Sequence, residues 1–183
     1  MEAPAGPRGT NVLLIGFMGC GKTSVGKEVA RMLGFDFVDT DEEIVVEAGG
    51  RPITEIFDTE GEDGFRDRES AILQRVSESS QQVVSTGGGL PLRPENRILL
   101  NSMGYVVWLD AELESILHRV AGNHDRPLLE VTDRDEKVRE LFAERRPIYK
   151  GGCDLRVETD GLQIGDVAYG VSESARVYLS EES

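Results

Sequence analysis

Along this chain the apolar positions switch repeatedly between two spacings. Val12-Leu13-Leu14-Ile15 is an unbroken apolar run of strand length, the pattern of a short buried strand. In the next segment Val25, Val29, Met32 and Leu33 fall at i, i+4, i+7 and i+8, which lines one face of a helix over residues 23–33. The alternation continues to the end. It predicts strands at 35–38, 82–85, 105–109 and 155–158, and helices at 41–48, 53–59, 65–79, 94–101, 134–145 and 164–179. A further helix starts at Asp110, placed to cap it, and runs through Val120. Gly49-Gly50 stops one helix, Gly87-Gly88-Gly89 closes the third strand, and Pro147 helps to end the helix over 134–145. Residues 122–132 are polar and carry Gly122, Asn123 and Pro127, so they read as a loop.

About five short strands alternating with helices imply an α/β fold with a parallel sheet covered on both faces. The helical material between Asp41 and Ser80 is longer than a single crossover needs, which points to an inserted subdomain. A chain of 183 residues has single-domain length. It can bury a core without disulfides or a structural metal.

Charge narrows the partners. Bulk nucleic-acid binding calls for a basic surface, so the net charge of -14 disfavours it. Most of the 20 basic residues are Arg, whose planar fork grips carboxylate and phosphate, so a small-anion site would draw on them. Cys20 and Cys153 show no metal spacing, which suits a reducing compartment. The first ten residues contain no apolar signal core and no run of 18 apolar residues occurs. The expectation is a cytoplasmic protein with no membrane partner.

Chemistry enters at Gly16 to Thr23, Gly-Phe-Met-Gly-Cys-Gly-Lys-Thr, directly after the first strand. This fits G-x-x-x-x-G-K-[ST], a loop that cradles nucleotide phosphates. Gly16, Gly19 and Gly21 permit backbone angles that a Cβ forbids, and the helix that follows turns its free N–H groups and positive dipole end to the same point. Lys22 adds a mobile positive charge, and the Thr23 hydroxyl can ligate magnesium. Cys20 has two readings, a thiol acidified near a helix N-terminus or a small filler of the loop.

Phosphate loops serve kinases, switch GTPases and mechanical ATPases. No Asn-Lys-x-Asp guanine reader is present. Residues 105–110 superficially fit a strand ending in a metal-ordering acid, but Asp110 reads better as a cap. Asp39-Thr40-Asp41 ends the second strand, where doubly wound sheets bind ligands. Two carboxylates there suit a metal ligand and a base for a substrate hydroxyl, and either can also cap a helix.

Together with residues 16–26 (GFMGCGKTSVG), five further landmarks form a set: 37–41 (FVDTD), 61–69 (GEDGFRDRE), 85–89 (STGGG), 126–129 (RPLL) and 145–149 (RRPIY). In order and spacing this set resembles the shikimate kinase family, small-molecule kinases of the nucleoside-monophosphate-kinase type. The resemblance implies a P-loop three-layer α/β/α domain with a five-stranded parallel sheet, inserted substrate-binding helices at about 40–70 and a mobile lid at about 122–133. It implies ATP-dependent phosphorylation of the 3-hydroxyl of shikimate in the aromatic amino-acid pathway, with Mg2+, by a monomer. Gly19, Cys20, Gly21, Lys22, Thr23 and Ser24 would hold the ATP phosphates, and Arg119 would pack on the adenine. Thr23 and Asp39 would order magnesium. Asp41 would bind the substrate hydroxyls and take the proton. Arg66 and Arg145 would hold the shikimate carboxylate, while Gly87, Gly88 and Gly89 line the ring. Lys22 and Arg126, the latter in the lid, would meet the transferring phosphoryl group.

The chain departs from the family pattern in three places. It has Lys-Thr-Ser where Lys-Ser-Thr is common, Lys-Gly-Gly after Tyr149, and a loosely matched segment at 158–164 where part of the adenine pocket falls. A gluconate kinase is the alternative enzyme, disfavoured by the glycine triplet and the Arg66/Arg145 pair. An inactive nucleotide-binding module is the alternative from another class, disfavoured by the intact Lys22, Thr23, Asp39 and Asp41.

Overall fold

The computed structural model describes residues 8–121 and 133–181. The apolar run becomes β1 (Asn11–Ile15), with every residue buried. Burial of consecutive strand residues requires cover on both faces of the sheet. β4 (Gly104–Asp110) is buried along its whole length in the same way. Each fully buried Val, Leu or Ile of these strands contributes about 1.5–3 kcal/mol.

β2 (Asp36–Asp39), β3 (Gln82–Ser85) and β5 (Leu155–Glu158) complete a five-stranded sheet of order β2-β3-β1-β4-β5. All four strand pairings are parallel. From β1 the chain moves out to β2, returns to β3 beside β1, and then crosses to β4 on the other side. That reversal puts a crevice at the carboxyl ends of β1 and its neighbours.

The helices are α1 (Lys22–Leu33), α2 (Thr40–Glu47), α3 (Ile53–Val76), α4 (Pro94–Met103), α5 (Leu113–Val120), α6 (Arg134–Gly151) and α7 (Ile164–Glu181). α1 packs on α7 and over β1–β3, whereas α4 packs on β1 and β4. Asn11, 2% exposed, ties the start of β1 to β3: its side chain donates to Ser79 O at 3.0 Å and accepts from Gln82 N at 2.9 Å. Among the described residues no helix is long and apolar enough to cross a membrane.

Three local expectations change. The helices expected at 53–59 and 65–79 meet in one helical segment, α3, broken at Gly61 (φ 73°, ψ 179°). Glu60 braces that kink, bridged to both Arg51 and Arg68. α6 does not end at Pro147 but continues to Gly151. Pro147 and Ala143 are both exposed, so water can reach the carbonyl that the missing proline N–H leaves without a partner. Asp110 is no cap: the N-cap of α5 is Glu112, and Asp110 is 4% exposed and bonded to Arg146 and Arg156.

Candidate active site

The crevice begins where β1 runs out. Gly16 sits at φ 142° with the carbonyl of Leu109 only 2.4 Å from where a Cβ would be, so the loop passes β4 too closely for any side chain. Gly21 caps α1 from a left-handed conformation and supplies no capping side chain. The first helical bond runs from Val25 N to Gly21 O. The N–H groups of Lys22, Thr23 and Ser24 therefore lack helical partners and form an anion site at the positive end of α1.

Lys22 is buried and spans the loop, its ammonium donating to Gly16 O at 2.9 Å and Phe17 O at 3.0 Å. Cys20 is 2% exposed and free, with its sulfur 3.7 Å from Lys22 Nζ and packed beside Gly16. That is the small-filler reading. Arg119 stands at the outer rim, donating to Gly19 O at 3.1 Å and lying 3.7 Å from Asp160. Asp160 also accepts from Glu112 N, so the turn after β5, the start of α5 and the phosphate loop are tied together.

Thr23 donates its hydroxyl hydrogen to Asp39 Oδ2 at 2.8 Å, while the other oxygen of Asp39 accepts from Asp41 N at 3.0 Å. Asp39 is thus a helix cap and a partner of the phosphate loop at once. A hydroxyl and a carboxylate make a hard oxygen donor pair that fits magnesium, which keeps most of its ligands as water and phosphate. Among the described residues no group of three or more His, Cys, Asp or Glu forms an all-protein metal cage. Lys22, Thr23, Ser24, Asp39, Asp41 and Gly88 all line one cleft of about 220 Å³.

The second half of the crevice is assembled around the glycine triplet. A Cβ on Gly87 would lie 2.6 Å from Asp41 Oδ1 and 2.7 Å from Glu69 Oε1. On Gly89 it would lie 1.9 Å from Arg66 Nη1. Gly87 and Gly89 are glycine because two carboxylates and a guanidinium occupy the space side chains would take, whereas a Cβ on Gly88 would meet nothing closer than 3.5 Å. Thr40, fully buried, accepts from Gly87 N at 2.9 Å and so fixes the start of α2, and Asp41 with it, against the triplet.

Arg66 is 7% exposed, held by Glu69 at 2.6 Å and Glu62 at 2.9 Å. Arg145 is 3% exposed, its guanidinium 5.9 Å from the Phe17 ring centroid. One turn further along α6, Tyr149 donates its hydroxyl to Gly88 O at 2.7 Å. Burial pushes the Tyr149 phenol well above its ordinary pKa, which keeps it a donor. Burial also pushes Glu69 up to about 7, with the charge of Asp41 adding to the rise and Arg66 and Arg145 opposing it. Glu69 Oε1 is buried and accepts no hydrogen bond among the described residues.

The structure therefore brings together Asp41, Arg66, Gly87, Gly88, Gly89 and Arg145 at one end, and Gly19 to Ser24 with Asp39 at the other. Arg126 lies outside the described residues, as does most of the expected lid at 122–133; its last residue, Asp133, caps α6. Sequence reasoning missed Glu69, Thr40 and Asp160. Glu69 stood inside the 61–69 landmark, three residues after Arg66 on one helix face, a spacing that pairs such charges.

The sequence model of the family SKI, shikimate kinase, matches residues 18–176. The chain is 44% identical over 165 residues to the shikimate kinase of Symbiobacterium thermophilum, covering 89% of this chain and 94% of that one. It is 47% identical over 148 residues to the shikimate kinase of Neisseria gonorrhoeae, covering 81% and 86%. Among solved structures, shikimate kinase from Acinetobacter baumannii in complex with shikimate superposes with a TM-score of 0.86 at 37% identity, covering 93% of each chain.

Proposed function

This chain belongs to the shikimate kinase family, and from that premise we propose that its crevice moves the γ-phosphoryl group of ATP onto the 3-hydroxyl of shikimate, releasing ADP and shikimate 3-phosphate. The phosphates lie on the N–H groups at the start of α1, with Cys20 filling the loop behind them. Lys22 leaves its carbonyl partners for the γ-phosphate and neutralises charge that grows on its oxygens. Thr23 and Asp39 would hold magnesium, which would supply further charge neutralisation when bound. Arg119 packs on the adenine at the rim. Arg126, by resemblance, adds a positive charge as the lid at 122–133 closes and water is excluded.

At the acceptor end, Arg66 and Arg145 grip the shikimate carboxylate through charge-assisted hydrogen bonds. Glu69 is a positioning residue that aims Arg66. Gly87, Gly88 and Gly89 let the ring approach the backbone. Asp41 accepts a hydrogen bond from the 3-hydroxyl and takes its proton as the oxygen bonds to the γ-phosphorus and the bond to the ADP oxygen breaks. Residues 40–70 form the acceptor-binding subdomain of one catalytic domain. The enzyme works as a cytoplasmic monomer on two small molecules, without a nucleic-acid or membrane partner.

One observation carries this reading: two arginines, each less than a tenth exposed, stand at the acceptor end beside Asp41, Arg66 against Gly89 and Arg145 with its Nε buried and without a hydrogen-bond partner among the described residues. Buried guanidinium groups are costly to desolvate; Glu69 and Glu62 offset that cost for Arg66, and a small carboxylate would answer the unpartnered Nε of Arg145. The test is ADP release from ATP and Mg2+ with shikimate, with gluconate and with nucleoside monophosphates. Turnover is expected with shikimate alone; equal turnover with gluconate, or none with shikimate, would overturn the proposal.

A further inference from the structure

Arg145 and Arg146 are neighbours on α6 with opposite fates. Arg145 is buried at the acceptor end, while the side chain of Arg146 is 48% exposed and looks into a separate groove of about 600 Å³. That groove lies between α6 and strands β4 and β5, and β5 is the edge of the sheet. Trp108, the chain's only tryptophan, lies at its base. Phe142 and Pro147 give it an apolar wall, and Arg146, Lys150 and Arg156 give it cations.

The cations are fixed in place. Arg146 and Arg156 converge on a single oxygen of the buried Asp110, at 2.8 and 2.7 Å. Their guanidinium carbons lie 5.8 and 5.2 Å from the Trp108 ring centroid, and that of Arg146 lies 5.7 Å from the Phe142 ring. Arg156 also pairs with Glu158 at 2.9 Å. Lys150 is exposed and makes no ion pair among the described residues. No carboxylate lines the groove itself, but Arg146 and Arg156 also line an adjoining pocket with Asp110, Glu112, Glu158 and Asp160, so Lys150 is the cation of the groove left without an ion pair among the described residues. Nothing in the phosphoryl-transfer site uses this cluster.

We propose that the groove binds a small aromatic carboxylate, its ring on Phe142 and Pro147 and its carboxylate between Arg146 and Lys150. A bare inorganic anion would use the cations and leave the apolar wall wet. A neutral apolar molecule would leave the Lys150 ammonium unanswered. A ring bearing one carboxylate answers both, since guanidinium takes carboxylate in a planar fork and aromatic rings pack against one another. Asp110 holds the arginines in position beforehand, so little side-chain freedom is lost on binding.

Trp108 makes the site observable. Titration of the full-length protein with benzoate, read by tryptophan fluorescence and by calorimetry, is expected to give saturable binding in the millimolar range or tighter. Saturating shikimate should not displace it, and inorganic phosphate should bind much more weakly. Arg146→Ala and Lys150→Ala should each weaken benzoate at least about fivefold, the loss of one charge-assisted hydrogen bond. Both variants should fold, because Asp110 keeps Arg156 as a partner and Lys150 is on the surface. Displacement by shikimate would put benzoate in the acceptor site and overturn the proposal. So would phosphate binding as tightly as benzoate, unchanged affinity in both variants, or no saturable binding by either method.

Discussion

The donor end of the crevice comes from one continuous stretch, Gly16 to Ser24, with Asp39 added from the next strand. The acceptor end collects Asp41 from α2, Arg66 and Glu69 from α3, the triplet after β3, and Arg145 with Tyr149 from α6. The donor end holds its ligand largely with backbone N–H groups, which come with the strand–loop–helix turn itself. The acceptor end uses buried charges that keep one another in place: Glu69 holds Arg66, Arg66 fills the space over Gly89, and Asp41 and Glu69 crowd Gly87. A phosphate site can be built locally because every phosphate looks alike. A site that must recognise one carboxylate among many is spread over the fold, and each of its parts depends on the others.

Removing one charge at each end puts that contrast at risk. Lys22→Ala is expected to have the largest effect, lowering turnover by about 10³-fold or more through lost stabilisation of the γ-oxygens. Shikimate binding should be unaffected, and calorimetry on the same protein checks this. Asp41→Asn sits where the halves meet and should lower turnover by about 10² or more. Wild-type turnover with an unchanged pH profile would refute proton transfer to Asp41.

Glu69→Gln probes the acceptor side through pH. Unfolded, Glu69 titrates near 4.5; folded, near 7. The folded protein therefore holds the extra proton between these values, and the stability contributed by Glu69 falls as pH rises through that window. Glutamine stays neutral, so the variant should gain about 2 kcal/mol on wild type between pH 5 and pH 8, since each tenfold difference in acidity between folded and unfolded chain is worth roughly 1.4 kcal/mol. Urea unfolding at both pH values measures it; a pH-independent difference would contradict the buried, raised carboxyl. Arg119→Ala should have the smallest effect, a rise of about two- to fivefold in KM for ATP, because an exposed cation over a ring contributes only about 0.5–1 kcal/mol. Steady-state kinetics with varied ATP reads it directly.

How far the amino-acid sequence reaches follows the same division. The strand–loop–helix of β1 and α1 was legible because spacing and glycines act within a few residues. The parallel sheet followed from the alternation of elements. The triplet and the arginines were legible through their motifs, but not what packs them together. Glu69 looked like one more acid on a charged helix; only the fold buries it beside Asp41. Asp110 looked like a cap because its tie to Arg146 and Arg156 spans 36 and 46 residues. Pro147 looked like a helix end because the rule against proline assumes a carbonyl left dry, and here α6 turns that face to solvent. Continuing past Pro147 is also what brings Tyr149 to Gly88.

If donor and acceptor recognition are separate, and the buried arginines choose the acceptor, then losing one arginine must touch one substrate and spare the other. Equilibrium titration of Arg145→Ala with shikimate and, separately, with a non-hydrolysable ATP analogue reads this without the chemical step. Shikimate affinity is expected to fall by at least about tenfold, the loss of a charge-assisted contact, with nucleotide affinity within about twofold of wild type. Unchanged shikimate affinity, or an equal fall in both, would contradict the division.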